Sequence, residues 1–445
     1  MPGRNTDDRV RRYHDDAAAA LAPLNDPSDL DPLLERTAEA RVVLLGEASH
    51  GTHEFYAWRA AITQRLIAEQ GFAFVAVEGD WPDCQRVDAI VRGQPDAPDD
   101  PRAALATFER WPRWMWANEE VADFGRWLRR HNASRAGLDG AGSDAAARVG
   151  FHGLDVYALW ESLREILLYL RDNDPARVLD AIAAYRCFES YGRDPHTYAL
   201  ATRLVPSGCE HEVLDLLIGL QQRAADDGPG AFAAWQNAEV VAGAERYYRT
   251  LMRGGAESWN IREQHMADTL GRLLEYYGPG ARAVVWAHNT HVGDARGSDM
   301  AQAGEISLGQ VARQRYGADR VVLVGFGTYQ GTVVASEAWG APMRIPTVPP
   351  ARSGSLEDVL HAAAPPQGLA IFDRHKGMSL LTDELDHRAI GVVYHPEMEA
   401  WANYVPTRLG QRYDAFCWLD RTRALQPLPT EAASPIEPET YPFGV

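Results

Sequence analysis

Lysine is almost absent from this chain: Lys376, in "RHKGMS", is the only one among 44 basic residues. No GxxxxGK[ST] occurs, which excludes a P-loop. A Schiff-base mechanism would rest on Lys376 alone, in a late loop, and is set aside. Cysteine is scarce too. Cys84, Cys187, Cys209 and Cys417 are scattered without a CxxC pair, which reads as reduced thiols in a cytoplasmic protein. No apolar run approaches the length of a membrane span, and "MPGRNTDDRVRRYHDD" lacks the apolar core of a signal peptide. Positive charge is in deficit. The formal charge of −18 argues against nucleic acid or an anionic membrane as partner, because both need a basic footprint. Neither G-x-S-x-G nor HExxH is present. The glycines of "GFGTYQG" (325–331) are wrongly spaced for a dinucleotide loop, so no nicotinamide or other cofactor is expected.

What the chain does have is a rhythm. Its 445 residues suffice for two or three domains, or for one α/β domain with an insertion. "RVVLLGE" (41–47), "FAFVAVEGD" (72–80), "ARVGFHGLD" (147–155), "ARAVVWAHN" (281–289) and "DRVVLVGFG" (319–327) are short apolar runs of the kind that form buried parallel strands. "GLAIFDR" (368–374), "AIGVVYHP" (389–396) and "YDAFCWLD" (413–420) continue the series. A helix is expected over roughly 53–70. Strands separated by helical patterns predict an α/β fold, with a mainly parallel central sheet flanked by helices. Between 156 and 280 the pattern is helical throughout: Trp160, Leu163, Leu167 and Leu170 share helical spacing. The expected organisation is an N-terminal helical segment (1–40), a first half of the α/β domain (41–155), a helical insertion covering the active-site edge (156–280), a second half (281–425) and a tail (426–445).

Titratable side chains gather at the strand ends. Glu47 and His50 follow the first strand, Glu78 ends the second, and His288 and His291 follow the fourth. Ligands of open α/β sheets bind outside the carboxyl ends of the strands, so these residues would share one edge. Taken singly, each is also explained as a helix N-terminal acid or a satisfied structural histidine. Arg59 lies on the apolar stripe of Phe55, Ile62 and Leu66. It either meets a buried anion, with Glu47 and Glu78 the nearest candidates, or snorkels at the stripe's edge. The 13 tryptophans include Trp81, Trp111, Trp114, Trp116 and Trp259, which suit either a broad semi-apolar pocket or an aromatic-rich core.

Four kinds of chemistry compete for these residues. A serine hydrolase on Ser49 is disfavoured, because Gly46 and Gly51 are one residue too far apart for a nucleophile elbow. A zinc or manganese site could use His50, His53, His288 and His291, with Glu47 and Glu78 nearby. Metal-free hydrolysis would let a carboxylate-held imidazole activate water. A non-catalytic ligand-binding protein is the fourth.

"LLGEASHGTHEFYAWRAAITQRLI", "VAVEGDWPD", "WPRWMWANEEV", "FHGLDVYALW", "WNIREQHMADTL" and "VVWAHNTHVGDA" together resemble the erythromycin esterase family, in the family's order, from about residue 30 to about residue 425. The resemblance implies an α/β fold with a helical part over it and hydrolysis of a macrolide's lactone ester by water, without metal or covalent intermediate. It implies His50 as general base, Glu47 and Glu78 as acidic partners and Arg59 as the cation. His288 is a further catalytic histidine, joining Arg59 in steadying the oxyanion or protonating the leaving alkoxide. His291, His53, Arg262, Trp81, Trp116 and Trp259 are the substrate-binding candidates. A small-molecule ester or lactone as substrate and a monomer or homodimer complete the expectation. Antibiotic resistance, natural-product tailoring and general ester hydrolysis all fit the same residues.

Overall fold

The computed structural model describes residues 3–136, 148–191, 195–204, 208–224, 228–251, 255–375 and 377–429. Lys376 and the tail from 430 onward lie outside the described residues. The strands are β1 (Ala22–Pro23), β2 (Val42–Leu45), β3 (Phe74–Asp80), β4 (Gly150–Asp155), β5 (Ala283–Trp286), β6 (Val321–Thr332), β7 (Ala335–Ser336), β8 (Met343–Arg344), β9 (Thr347–Val348), β10 (Gln367–Ile371), β11 (Glu384–Arg388), β12 (Tyr404–Arg408) and β13 (Ala415–Thr422).

The main sheet runs β1-β10-β13-β6-β2-β5-β3-β4, with β9 paired to β6. It is parallel from β13 through β4 and antiparallel at β1, β10 and β9. The continuous apolar runs have the reason expected of them: both faces are covered. Val43, Leu45, Val75, Val77, Val284 and Trp286 enter one core, while Val42, Leu44, Phe74, Ala76, Ala283 and Val285 enter the other. The chain visits β2, β3 and β4 in turn, and only after the helical insertion does β5 enter between β2 and β3. Leu45, Trp286, Val77 and Val324 lie in one register, so the residues just beyond them emerge at one level.

Helices from Leu159–Asn173 to Glu257–Tyr276 fill the gap between β4 and β5. They carry a core of their own, including Leu163, Leu170, Tyr247 and Tyr248. Two expectations are corrected. Cys187, in helix Val178–Glu189, and Cys209, just before helix Glu210–Ala224, form a disulfide, because the helical packing brings together thiols that are 22 residues apart. Only Cys84 and Cys417 are free, both buried. Such crosslinks persist in oxidising surroundings, so the cysteines no longer argue for a cytoplasmic setting. No described helix is long and apolar enough to cross a membrane. Residues 389–396 are not a strand either. Ile390 and Val393 make isolated bridges to Ser49 and Ser336, held by single backbone bonds such as Ile390 N–H to the Ala48 carbonyl and Tyr394 N–H to that of Ser336.

The motif between β2 and helix His53–Gln70 is held by close backbone approach. The Gly51 carbonyl accepts the N–H groups of Val334 and Leu425, both at 3.0 Å. A Cβ on Gly51 would lie 2.0 Å from the Val334 carbonyl oxygen, and rigid backbone cannot give way. Gly51→Ala is therefore expected to destabilise the protein by about 1–3 kcal/mol, as overpacking does. A thermal melt reads this, and an unchanged melting temperature would contradict the close approach.

Candidate active site

Glu47 and His50 sit beyond the end of β2, and both are buried. His50 Nδ1 lies 2.9 Å from Glu47 Oε1. The other oxygen of Glu47 forms an ion pair with Arg59 at 2.9 Å. Arg59 is fully buried, its guanidinium over the rings of Tyr56 (4.2 Å) and Trp286 (5.2 Å). The inward-facing arginine thus finds its anion, but behind Glu47 rather than on the cavity wall.

Glu78, at the end of β3, binds three groups at once. Oε1 accepts from Arg262 at 2.7 Å and faces His291 Nε2 at 3.1 Å; Oε2 accepts the backbone N–H of His288 at 2.8 Å. Burial alone would raise its pKa. His291 and Arg262 outweigh burial and hold the carboxyl well below the usual range. Arg262, from helix Glu257–Tyr276, also makes a two-pronged contact with Asp155 at the end of β4, at 3.0 and 2.8 Å.

The two histidines after β5 differ in charge. His291 lies between Glu263 (2.5 Å from Nδ1) and Glu78, with the Trp259 ring stacked on it. Against burial, the two carboxylates raise its pKa to about 10, so it is an imidazolium at neutral pH. His288 is pushed the other way. Burial, then the neighbouring His50, takes its pKa well below the ordinary value. Its Nδ1 accepts the Thr290 N–H at 3.3 Å, so the neutral ring carries its hydrogen on Nε2. The His50 and His288 ring centroids are 4.9 Å apart.

A cavity of about 50 Å³ opens onto His50, Glu78, Asp155 and Arg262. Asp80, Asp83, Arg110 and Arg113 add charge to its lining, and Phe108, Trp111, Met115, Trp116, Trp339 and Val392 add apolar surface. Arg110 pairs with Asp80 at 2.5 and 2.8 Å. Burial and Asp80 push Asp83 up to about 7. Trp116 donates from its indole to the Glu78 carbonyl at 2.8 Å. No serine, threonine, cysteine or lysine lines this cavity among the described residues. The Ser49 hydroxyl is engaged by Thr52.

Other candidates lie elsewhere. His53 faces Glu120 (2.6 Å) and Arg423 (2.9 Å), tying the C-terminal segment to helix Glu119–Ala136. Trp81 stacks on His152 in the core, and Trp259 donates to the Ile306 carbonyl at 2.7 Å; neither lines the cavity. The four histidines of the metal reading therefore do not converge. His53 and His291 each have other partners, and no group of three or more metal-ligating side chains occurs among the described residues. Sequence reasoning overlooked Asp80, Asp83, Asp155, Arg110 and Glu263. Asp155 closes its strand as Glu78 does, and Asp80 and Asp83 stand within "VEGDWPD", so a signal existed for these three. Glu263 offers none.

The His291–Glu263 pair gives a pH signature. A histidine whose pKa rises from 6.5 to about 10 on folding contributes stability that is whole below pH 6.5 and lost as pH climbs towards 10. Glu263→Gln removes the larger of the two carboxylates' shares of that contribution, leaving that of Glu78. The melting-temperature gap between wild type and Glu263→Gln should be widest near pH 6.5 and shrink towards pH 10. A gap constant across that range would mean that His291 is not held as a cation.

Three solved structures share the fold. A succinoglycan biosynthesis protein superposes with a TM-score of 0.76 at 20% identity, covering 94% of this chain and 99% of that one. A Bacillus cereus protein gives 0.76 at 18% identity with the same coverage. A histidine-to-asparagine mutant of erythromycin esterase EreC, in its open conformation, gives 0.65 at 15% identity, covering 92% of this chain and 97% of that one. The family profile described as erythromycin esterase matches residues 67–422, about four-fifths of the sequence. The chain belongs to the erythromycin esterase family, which places it among the hydrolases.

Proposed function

We propose that this protein hydrolyses an ester, either the lactone of a macrolide or a related ester, by direct attack of water. The observation that carries the reading is the cavity wall. It presents an imidazole oriented by a buried carboxylate, and no serine, threonine, cysteine or lysine that could form an acyl-enzyme. Glu47 occupies His50 Nδ1, which leaves Nε2 for the water. His50 takes the proton as water attacks the carbonyl carbon. Glu47, its charge held by Arg59, supports the imidazolium that forms. Negative charge then develops on the carbonyl oxygen. Arg262 lines the cavity with His50, as do Arg110 and Arg113, and His288, its ring centroid 4.9 Å from that of His50, carries a neutral Nε2–H that could donate there. Collapse of the tetrahedral species expels the alkoxide, which takes the proton from His50; the acid formed loses its own proton to solvent and leaves as the carboxylate.

A volume of about 50 Å³ has room for water and a small acyl group, whereas drug-sized ligands need about 300–1,000 Å³. A macrolactone therefore requires the apolar wall to move. Trp111 and Trp339 meet edge to face across it at 5.0 Å, and Trp111 donates to the Ala341 carbonyl at 3.1 Å.

The test is mass spectrometry of erythromycin A and 4-nitrophenyl acetate after incubation with enzyme, with and without EDTA. Gain of one water, insensitive to EDTA, is the expected result. His50→Ala should lower turnover by about 10²–10⁴-fold, the usual contribution of a general base. A His50→Ala enzyme with near-normal turnover would remove His50 from the mechanism, and an acyl adduct on Ser49 would remove the water step. Trp339→Ala should raise kcat/KM for the bulky ester relative to the small one. Equal effects on both would show that Trp339 does not limit substrate size.

A further inference from the structure

A third buried acid–imidazole pair, after Glu47–His50 and Glu263–His291, lies outside the cavity in residues that the reaction above does not use. Glu357, His387 and Asn289 are each at most 1% exposed. Asn289 directly follows His288. Its backbone N–H donates to the Glu47 carbonyl at 2.8 Å. Its side-chain amide spans Phe326 of β6: Nδ2 donates to the Phe326 carbonyl at 2.7 Å, and Oδ1 accepts the Phe326 N–H at 3.3 Å. Gly46 leaves room for this amide, since a Cβ there would lie 2.1 Å from Oδ1. The two ends of the amide are therefore fixed by backbone groups.

The second hydrogen on Nδ2 faces His387 Nε2 at 3.2 Å. His387 Nδ1 lies 2.6 Å from Glu357 Oε1, which also accepts the Arg388 N–H at 2.9 Å. A carboxylate only accepts, so the hydrogen sits on Nδ1 and Nε2 offers its lone pair to Asn289. Burying a carboxylate and an imidazole costs several kcal/mol unless both are paired. Here the pair holds one asparagine amide. That asparagine ties the end of β5 to β2 and β6, while Glu78 holds the adjacent peptide, that of His288, to β3.

We propose that His387, oriented by Glu357, is a positioning residue for the reaction, acting through Asn289 to hold His288 and the Glu47 backbone in register. This rests on the reading of His50, Glu47 and His288 as the reacting groups. The role needs an acceptor at the place of Nε2, not a charge or a proton relay.

Two variants separate positioning from bulk structure. Glutamine at 387 can put an amide oxygen where Nε2 stands; phenylalanine fills the space but accepts nothing. His387→Phe is expected to lower kcat at least about tenfold with KM little changed, whereas His387→Gln keeps kcat within about threefold. The probes are 4-nitrophenyl acetate and erythromycin A. A readout that needs no substrate is the imidazole ¹⁵N spectrum: His288 should remain the single Nε2–H tautomer in wild type and His387→Gln, and become mixed in His387→Phe. If His387→Phe is insoluble, Glu357→Leu, which leaves His387 unoriented, should give the same mixed tautomers. An unchanged kcat and His288 spectrum in His387→Phe would overturn the proposal. So would His387→Gln falling as far as His387→Phe, which is what a purely structural role predicts. His50→Ala in the same assays distinguishes the two failures. If it stays active, the reading of the site is wrong; if it is dead while His387→Phe is normal, only the positioning role is lost.

Discussion

Glu78 is a carboxylate buried to 2% exposure, and it must stay ionised for the site to exist. Its charge is met by Arg262 and His291 and its second oxygen by the His288 backbone, so one side chain joins β3, the insertion and the end of β5. An isolated carboxylate at that depth would take up a proton instead. Around it, Asp155 holds Arg262 and Glu263 holds His291, so each partner of Glu78 is itself anchored by a second acid. The site is a small ionic lattice whose members are individually costly to bury and collectively paired.

Within that lattice, environment alone separates the three histidines. His291 faces two carboxylates and carries a charge; His288 faces another imidazole and a buried turn and stays neutral. His50 has one nitrogen on Glu47 and a place on the cavity wall. Opposed environments give like side chains different charges within one site. Glu47, Arg59, Glu357, His387 and Asn289 do not line the cavity; they support residues nearer to it.

The helical insertion takes part in the site. It brings Arg262, Glu263 and Trp259 against the strand ends, on helix Glu257–Tyr276, and it packs around its own core. The cavity wall combines Tyr157 and Arg262 of the insertion with the segment 108–116 and Trp339. Tyr56 donates to the Met115 carbonyl and Trp116 to that of Glu78, so one end of this wall is fastened to the site, while Trp111 and Trp339 meet at the other.

The sequence by itself determined the parallel strands of the main sheet, the helix that follows β2, the helical insertion and the supply of acids and histidines at strand ends. These are local matters: apolar runs have no other stable place than a covered sheet, and the residue after a strand must lie at its edge. It also contained the inward arginine, because Arg59 stands on an apolar stripe. Order was decided only by the tertiary structure. "GEASHGTHEF" holds four titratable residues, of which Glu47 and His50 turn into the site while His53 and Glu54 turn to Glu120 and Arg423. The Cys187–Cys209 bond, Glu263 and the His387 pair were equally invisible, since each depends on which helices or loops meet. The decisive step is the late insertion of β5 between β2 and β3. It sets His288 between Glu47 and Glu78, a relation between residues some two hundred positions apart that no local pattern encodes.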